Sequence, residues 1–151
     1  MGYIHDIRKL VGTRPIIFTG VVVVVFNGKN EVLFQMRTDT KDWGIIGGAL
    51  ELGESLEEAA HRELYEEAGI MVNELNFNTL LSGNDMYYKY PHGDEVYNVI
   101  SVYETKKFIG EPHINDDEGT ELKFFSLAEP IENMKCHKRF LKNQVIYCGD
   151  K

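Results

Sequence analysis

Apolar residues run almost unbroken from Ile16 to Phe26, and β-branched side chains dominate the run. A stretch of this length and composition predicts a strand buried on both faces. Asn27-Gly28 follows, a dipeptide suited to the torsions of a tight hairpin turn, so Val32 to Met36 is expected as the partner strand. Ahead of it, Tyr3 to Val11 places Ile4, Ile7, Leu10 and Val11 at helical spacing and predicts a short helix.

The clearest helix runs from Ser55 to Ala68. Ser55 and Glu58 have the spacing of a capping box, in which each side chain satisfies a free backbone N–H. Leu56, Ala60, Leu64 and Ala68 recur every four residues as one apolar stripe. Gly69 then supplies the left-handed residue that commonly ends a helix. Downstream, Leu80–Leu81, Met86 to Tyr90, Val96 to Glu104 and Glu121 to Phe125 read as strands. Pro91 to Asp94 would join two of them as a hairpin. Ile109 to Thr120, with Gly110, Pro112, Asp116, Asp117, Glu118 and Gly119, reads as a loop, and Met134 to Tyr147 carries a helical pattern. A sheet covered by helices on both faces follows, without its strand order.

Composition narrows the function. The chain has 151 residues, 43% hydrophobic and 26% charged, which fits a single globular domain over 1–151. No repeat or linker-like segment divides it, and no second domain is expected. The net charge of −8 argues against a nucleic-acid partner, because duplex binding rests on Lys and Arg neutralising phosphates. Two cysteines, Cys136 and Cys148, make no disulfide framework. The apolar run is too short to span a bilayer, and the charged N-terminal stretch does not read as a secretory signal. A cytoplasmic protein with no membrane partner is expected.

The helix concentrates carboxylates. Glu63, Glu66 and Glu67 sit at i, i+3 and i+4, and each like-charged pair at that spacing costs about 0.2–0.5 kcal/mol in an isolated helix. A solvated acidic face and a metal site both fit this pattern. Oxygen-rich carboxylate sites suit magnesium and manganese. Just upstream, Trp43 to Gly48 reads as a glycine-rich bend leading towards the helix, where the backbone can approach closely.

Gly48, five residues to Glu54, then seven to Arg62-Glu63-Leu64-Tyr65-Glu66-Glu67-Ala68-Gly69-Ile70 resembles the complete signature of the Nudix hydrolases. All seven fixed residues and both apolar positions match. With average residue frequencies, a chance match has odds on the order of one in a million. The segment Val32 to Arg37 with Trp43-Gly44, and Glu118 with Glu121 to Leu127, is similar to flanking parts of that family. Ile46 departs from it, standing where a proline usually precedes the paired glycines.

The resemblance implies an α/β/α sandwich with a mixed β-sheet and a Mg2+-dependent hydrolase, Mn2+ serving in its place, in which water attacks phosphorus within a diphosphate bridge. Glu63, Glu66 and Glu67 would bind the metal with the Gly47 carbonyl, and Glu118 would be a further ligand or the base that takes the water's proton. Glu63 competes for the base role, and Asp116, Asp117 and Glu121 compete with Glu118. Arg62 would orient the glutamates by ion pairing. Glu54 would support the metal site or, equally, cap the helix start. Arg37 could grip a phosphate or simply end its strand in solvent. Tyr87, Tyr88, Tyr90, Tyr97 and Tyr103 read first as packing residues, with a base-stacking member among them as the alternative. The partner is a nucleotide-type small molecule, of nucleoside triphosphate or dinucleoside polyphosphate type. Many relatives pair, so a homodimer stays open with no interface fixed. The competing reading is a silent Nudix-like module that binds a nucleotide and regulates.

Overall fold

The computed structural model describes residues 2–126. Helix α1 (Tyr3–Val11) precedes strands β1 (Ile16–Val25), β2 (Val32–Arg37) and β3 (Trp43–Ala49). Helix α2 (Leu56–Ala68) follows, then β4 (Asn76–Leu81), a 3-10 turn at Asn84–Met86, β5 (Tyr87–Lys89), β6 (Glu95–Thr105) and β7 (Gly119–Phe125). The expected helix over 134–147 lies outside the described residues.

The strands form one mixed sheet in the order β4-β6-β1-β3-β2-β7, with β5 beside β4 along β6. β1 runs parallel to β6 over its full length, from Ile16 opposite Val96 to Val25 opposite Thr105. The other described pairings are antiparallel. The unbroken apolar run of β1 is explained by this central place. Val21, Val23 and Val25 face α2 with Leu33 and Ile46, against Ala59, Ala60, Leu64 and Ala68. Val22 and Val24 face the other way, towards Phe34, Trp43, Ile45, Met86, Ile100 and Val102.

On that second face α1 stands over a cavity to which it contributes Ile4 and Arg8. The helix buries no residue fully and is fastened by polar contacts instead. The Tyr3 N–H donates to Glu51 Oε1 at 2.9 Å. Arg8 donates to the carbonyls of Gly12, Arg14 and Glu95 at 2.6–2.9 Å. Helices on opposite faces thus sandwich the sheet, as the sequence implied.

The expected β1–β2 hairpin does not form. β3 lies between the two strands, and only Phe26 and Val32 bridge directly. The connection is organised by the Asn27 side chain, whose Oδ1 accepts from the Lys29 and Glu31 N–H groups at 2.9 Å. The positive φ falls at Asn30 (60°). This wider turn lets β2 step outward and leaves an edge of β1 for β3.

The expected bend at Trp43 to Gly48 is also a strand. β3 ladders with β2 over Trp43 to Ile45 and with β1 over Ile46 to Ala49, so its glycines serve close approach rather than turning. A Cβ on Gly47 would stand 2.2 Å from the Val21 carbonyl oxygen. Ile46 fills the core on the α2 side with no exposure, a packing role that a proline fills less well. Elsewhere β4 is longer than expected, and the 3-10 turn takes up Met86, the expected start of β5.

Helix α2 is capped as its sequence predicts. Ser55 Oγ accepts from the Glu58 N–H at 3.0 Å and Glu58 Oε1 from the Ser55 N–H at 2.8 Å, while Gly69 closes the helix at φ 67°, ψ 18°. Ser55→Ala removes one half of the box and is expected to lower stability by about 1 kcal/mol, read as a shift of the urea midpoint at unchanged slope.

Candidate metal centre

The buried stripe of α2 carries more than alanine and leucine. Glu63 is 6% exposed and Glu67 is not exposed at all. They lie one turn apart, against the paired glycines of β3. Burying a carboxylate is costly unless it gains partners, and the fold supplies few.

Glu67 Oε1 accepts the Gly47 N–H at 3.0 Å. That donor is free because β3 has left the β2 ladder and is joining β1 at this point. Glu67 Oε2 is buried with no hydrogen-bond partner. Glu63 lies so close to Gly48 that an added Cβ would stand 2.3 Å from its Oε1. Only a glycine leaves room for the carboxylate there.

Glu118 completes the cluster from the loop before β7. Carboxylate oxygens of Glu63, Glu67 and Glu118 lie within 4.8 Å of one another. The loop is pinned where it must be: the Thr38 N–H and hydroxyl donate to the Glu118 carbonyl at 3.1 and 3.2 Å. At its other end the His113 N–H donates to the Ala68 carbonyl and Asn115 Nδ2 to the Tyr65 carbonyl. These contacts also satisfy carbonyls at the C-terminal end of α2. Asp116, Asp117 and Glu121 do not join the cluster, although Asp116 accepts the Glu118 N–H at 3.0 Å.

Glu66 is not brought in with the others. Its side chain is 51% exposed and pairs with Arg62 at 3.1 Å, because its position on the helix turns it from the stripe that carries Glu63 and Glu67. Arg62 is the hub of the acidic helix. It grips Glu54 through two nitrogens at 2.6 and 2.9 Å, reaches Glu63 at 2.7 Å, and donates to the Ala49 carbonyl at 2.8 Å. Glu54 also accepts the Glu51 N–H at 3.0 Å. Ser55, not Glu54, caps the helix, and Glu54 is paired with Arg62.

Electrostatics divide these carboxyls. Hydrogen bonding from Arg62 holds Glu54 below the ordinary carboxylate range against a smaller effect of burial. Burial pushes Glu63 up to about 7, with Arg62 opposing and Glu118 and Glu66 adding to the rise. Burial drives Glu67 well above its usual range, and the neighbouring Glu118 and Glu63 carboxyls push the same way. Buried oxygen donors without enough cationic partners are what a hard divalent cation requires, and the orphaned Glu67 Oε2 is an open position of that kind. The residues fit a divalent cation of that kind.

The cluster borders a cavity of about 810 Å3, to which Glu118, Arg37, Phe18, Tyr88, Tyr90 and Asn98 contribute. Arg37 is held there by Asp39 in a two-pronged pair, both contacts 3.0 Å. Burial works against its charge, but Asp39 more than offsets this and the guanidinium stays protonated. Tyr90 stacks with His92 at 5.4 Å and 9° between ring planes. Of the other tyrosines, Tyr103 packs in the core and Tyr87 and Tyr97 pack on each other at 5.2 Å.

Sequence reasoning missed Phe18, Asn98, His92 and Gln35. Gln35 carried a readable signal as an uncharged polar residue in the middle of an apolar strand.

A mixed sheet between helices, with buried acidic residues of a capped helix set against paired glycines at a cavity's edge, makes the chain an α/β sandwich with a candidate cation site. A family model described as NUDIX domain matches residues 17–144, and the chain belongs to the Nudix family. It is 27% identical over 124 residues to the NAD-capped RNA hydrolase NudC of Mannheimia succiniciproducens, covering 78% of this chain and 43% of that protein. It is 39% identical over 80 residues to a nucleoside triphosphate pyrophosphatase/Nudix hydrolase fusion protein of Bifidobacterium longum, covering 53% and 15%. The chain spans less than half the length of the curated relatives it matches. Its fold matches the crystal structure of a MutT NUDIX hydrolase from Burkholderia pseudomallei, with a TM-score of 0.71 and 24% identity, over 87% of this chain and 98% of that one. No helix among the described residues is long and apolar enough to cross a membrane.

The raised carboxyl of Glu63 has a consequence for stability. Without metal, the folded chain keeps its proton to about pH 7, whereas the unfolded chain releases it near 4.5. The folded state therefore binds more protons across that window, and stability falls as pH rises through it. The melting temperature of metal-free protein is expected to decline over this range and Glu63→Gln to flatten the decline. A flat wild-type profile would contradict the burial described.

Proposed function

We propose that the chain is a single-domain, Mg2+-dependent pyrophosphohydrolase, with Mn2+ able to substitute. Its substrate is a nucleoside diphosphate linked to another moiety, of nucleoside triphosphate or dinucleoside polyphosphate type. The observation that carries this reading is the meeting of Glu63, Glu67 and Glu118 at the edge of an aromatic-walled cavity.

Glu63, Glu67 and Glu118 hold the cation, with the backbone at Gly47 beside them. A bound divalent ion neutralises phosphate oxygens and acidifies water for attack on phosphorus. Glu67 is enclosed, so its task is to hold. Glu118 is exposed and on the cavity wall, placed to take the attacking water's proton.

Arg62 acts from behind by fixing Glu63 and keeping Glu66 turned outward. Asp39 engages two of the five N–H donors of Arg37, and the rest are available to phosphate oxygens on the cavity side. Tyr88, Tyr90 and Phe18 offer apolar surface to a nucleobase.

The test is a panel of nucleoside triphosphates and dinucleoside polyphosphates incubated with Mg2+, with phosphate products quantified. Wild-type protein is expected to release product. Glu67→Gln is expected to lose turnover by orders of magnitude while keeping its melting curve. Glu118→Gln should retain more metal affinity than Glu67→Gln while losing turnover. Removing the support with Arg62→Ala is expected to weaken metal binding about 10–100-fold. Inactivity of well-folded wild-type protein across the panel, with nucleotide still bound, would replace the enzyme by the regulatory binding module.

A further inference from the structure

Strand β2 sends one polar side chain into the core. Gln35 is not exposed at all and shares the α2-facing side of the strand with Leu33. Neither its Oε1 nor its Nε2 has a hydrogen-bond partner. A buried amide left in this condition destabilises the fold, and an apolar side chain of the same size would avoid the cost. Packing alone therefore does not explain a glutamine here.

Its neighbours do. The Gln35 side chain lies beside the Glu67 carboxyl. Its Oε1 lies against the backbone of Gly119, where an added Cβ would stand 2.5 Å away. Gly119 directly follows Glu118. Gln35 thus lies against the carboxyl of Glu67 on α2 and against the backbone that follows Glu118. The other buried unpartnered atom of this site is Glu67 Oε2. An amide N–H donor and a carboxylate acceptor are complementary groups.

We infer that Gln35 is a positioning residue that fixes Glu67, and the root of Glu118, towards a divalent cation, at the expense of stability in the metal-free fold. The inference rests on the metal-site reading above. A residue that only filled space would raise or lower stability and metal affinity together. A residue retained for the site separates them, because its unpaired amide weakens the empty fold while its place beside Glu67 strengthens binding.

The experiment measures Mn2+ affinity by calorimetric titration and the melting temperature of metal-free protein, for wild type, Gln35→Met and Gln35→Leu. Both variants are expected to melt at or above the wild-type temperature without metal and to bind Mn2+ about tenfold more weakly. Wild-type affinity in both variants would overturn the inference. So would a parallel loss of melting temperature and affinity, or failure of both variants to fold, since each marks a packing residue. Absence of Mn2+ binding by the wild type would instead overturn the metal site itself.

Discussion

The structure turns on the burial of two carboxyls that share a single cationic partner, Arg62, which reaches only Glu63. Glu63 and Glu67 occupy the side of α2 that a helix packed on a sheet normally fills with apolar groups. Their accommodation dictates what surrounds them. Gly48 is glycine because Glu63 fills its side-chain space. Gly47 presents its N–H to Glu67 because β3 is changing ladders there. Arg62 is drawn across the helix start because an arginine fork can hold Glu54 with one side and reach Glu63 with the other. The signature spacing is the linear trace of this one electrostatic arrangement.

Much of that arrangement was legible in the sequence because it is local. The capping box, the αL glycine and the four-residue apolar recurrence act within α2 itself, and helix limits follow from them. The strand β1 was legible because a strand central to a sheet can bury both faces only if it is apolar throughout. Arg62 pairing with Glu66 was legible from their i, i+4 spacing. Glu63 and Glu67 share a face by the same helical arithmetic, which also turns Glu66 away. The pattern alone could not say which face was buried.

What was not legible depends on strand neighbours distant in the chain. Asn27-Gly28 suggested a hairpin, yet β3 takes the place beside β1, and Gly47, packed against the Val21 backbone, makes that close approach feasible. The paired glycines of β3 resembled a bend when read along the chain, since a glycine needed for space and a glycine needed for torsion look alike in sequence. Glu118 illustrates the limit for the site. Its loop could be seen, but its position beside α2 is set by Thr38, His113 and Asn115. None of these contacts has a short-range signal.

Burial and exposure then divide labour among chemically identical groups. Glu67 is enclosed and tied to backbone, Glu63 is enclosed and tied to Arg62, Glu66 is outside, and Glu118 is on a loop at the cavity wall. An enclosed carboxylate has little freedom to move a proton to solvent, but it offers a cation a fixed oxygen in a low-dielectric setting. An exposed one can exchange its proton between turnovers. Four glutamates from one helix and one loop therefore separate into enclosed and exposed positions through packing. The same logic accounts for the cost: a helix face gives up apolar contacts so that carboxylate oxygens can stand together at one place.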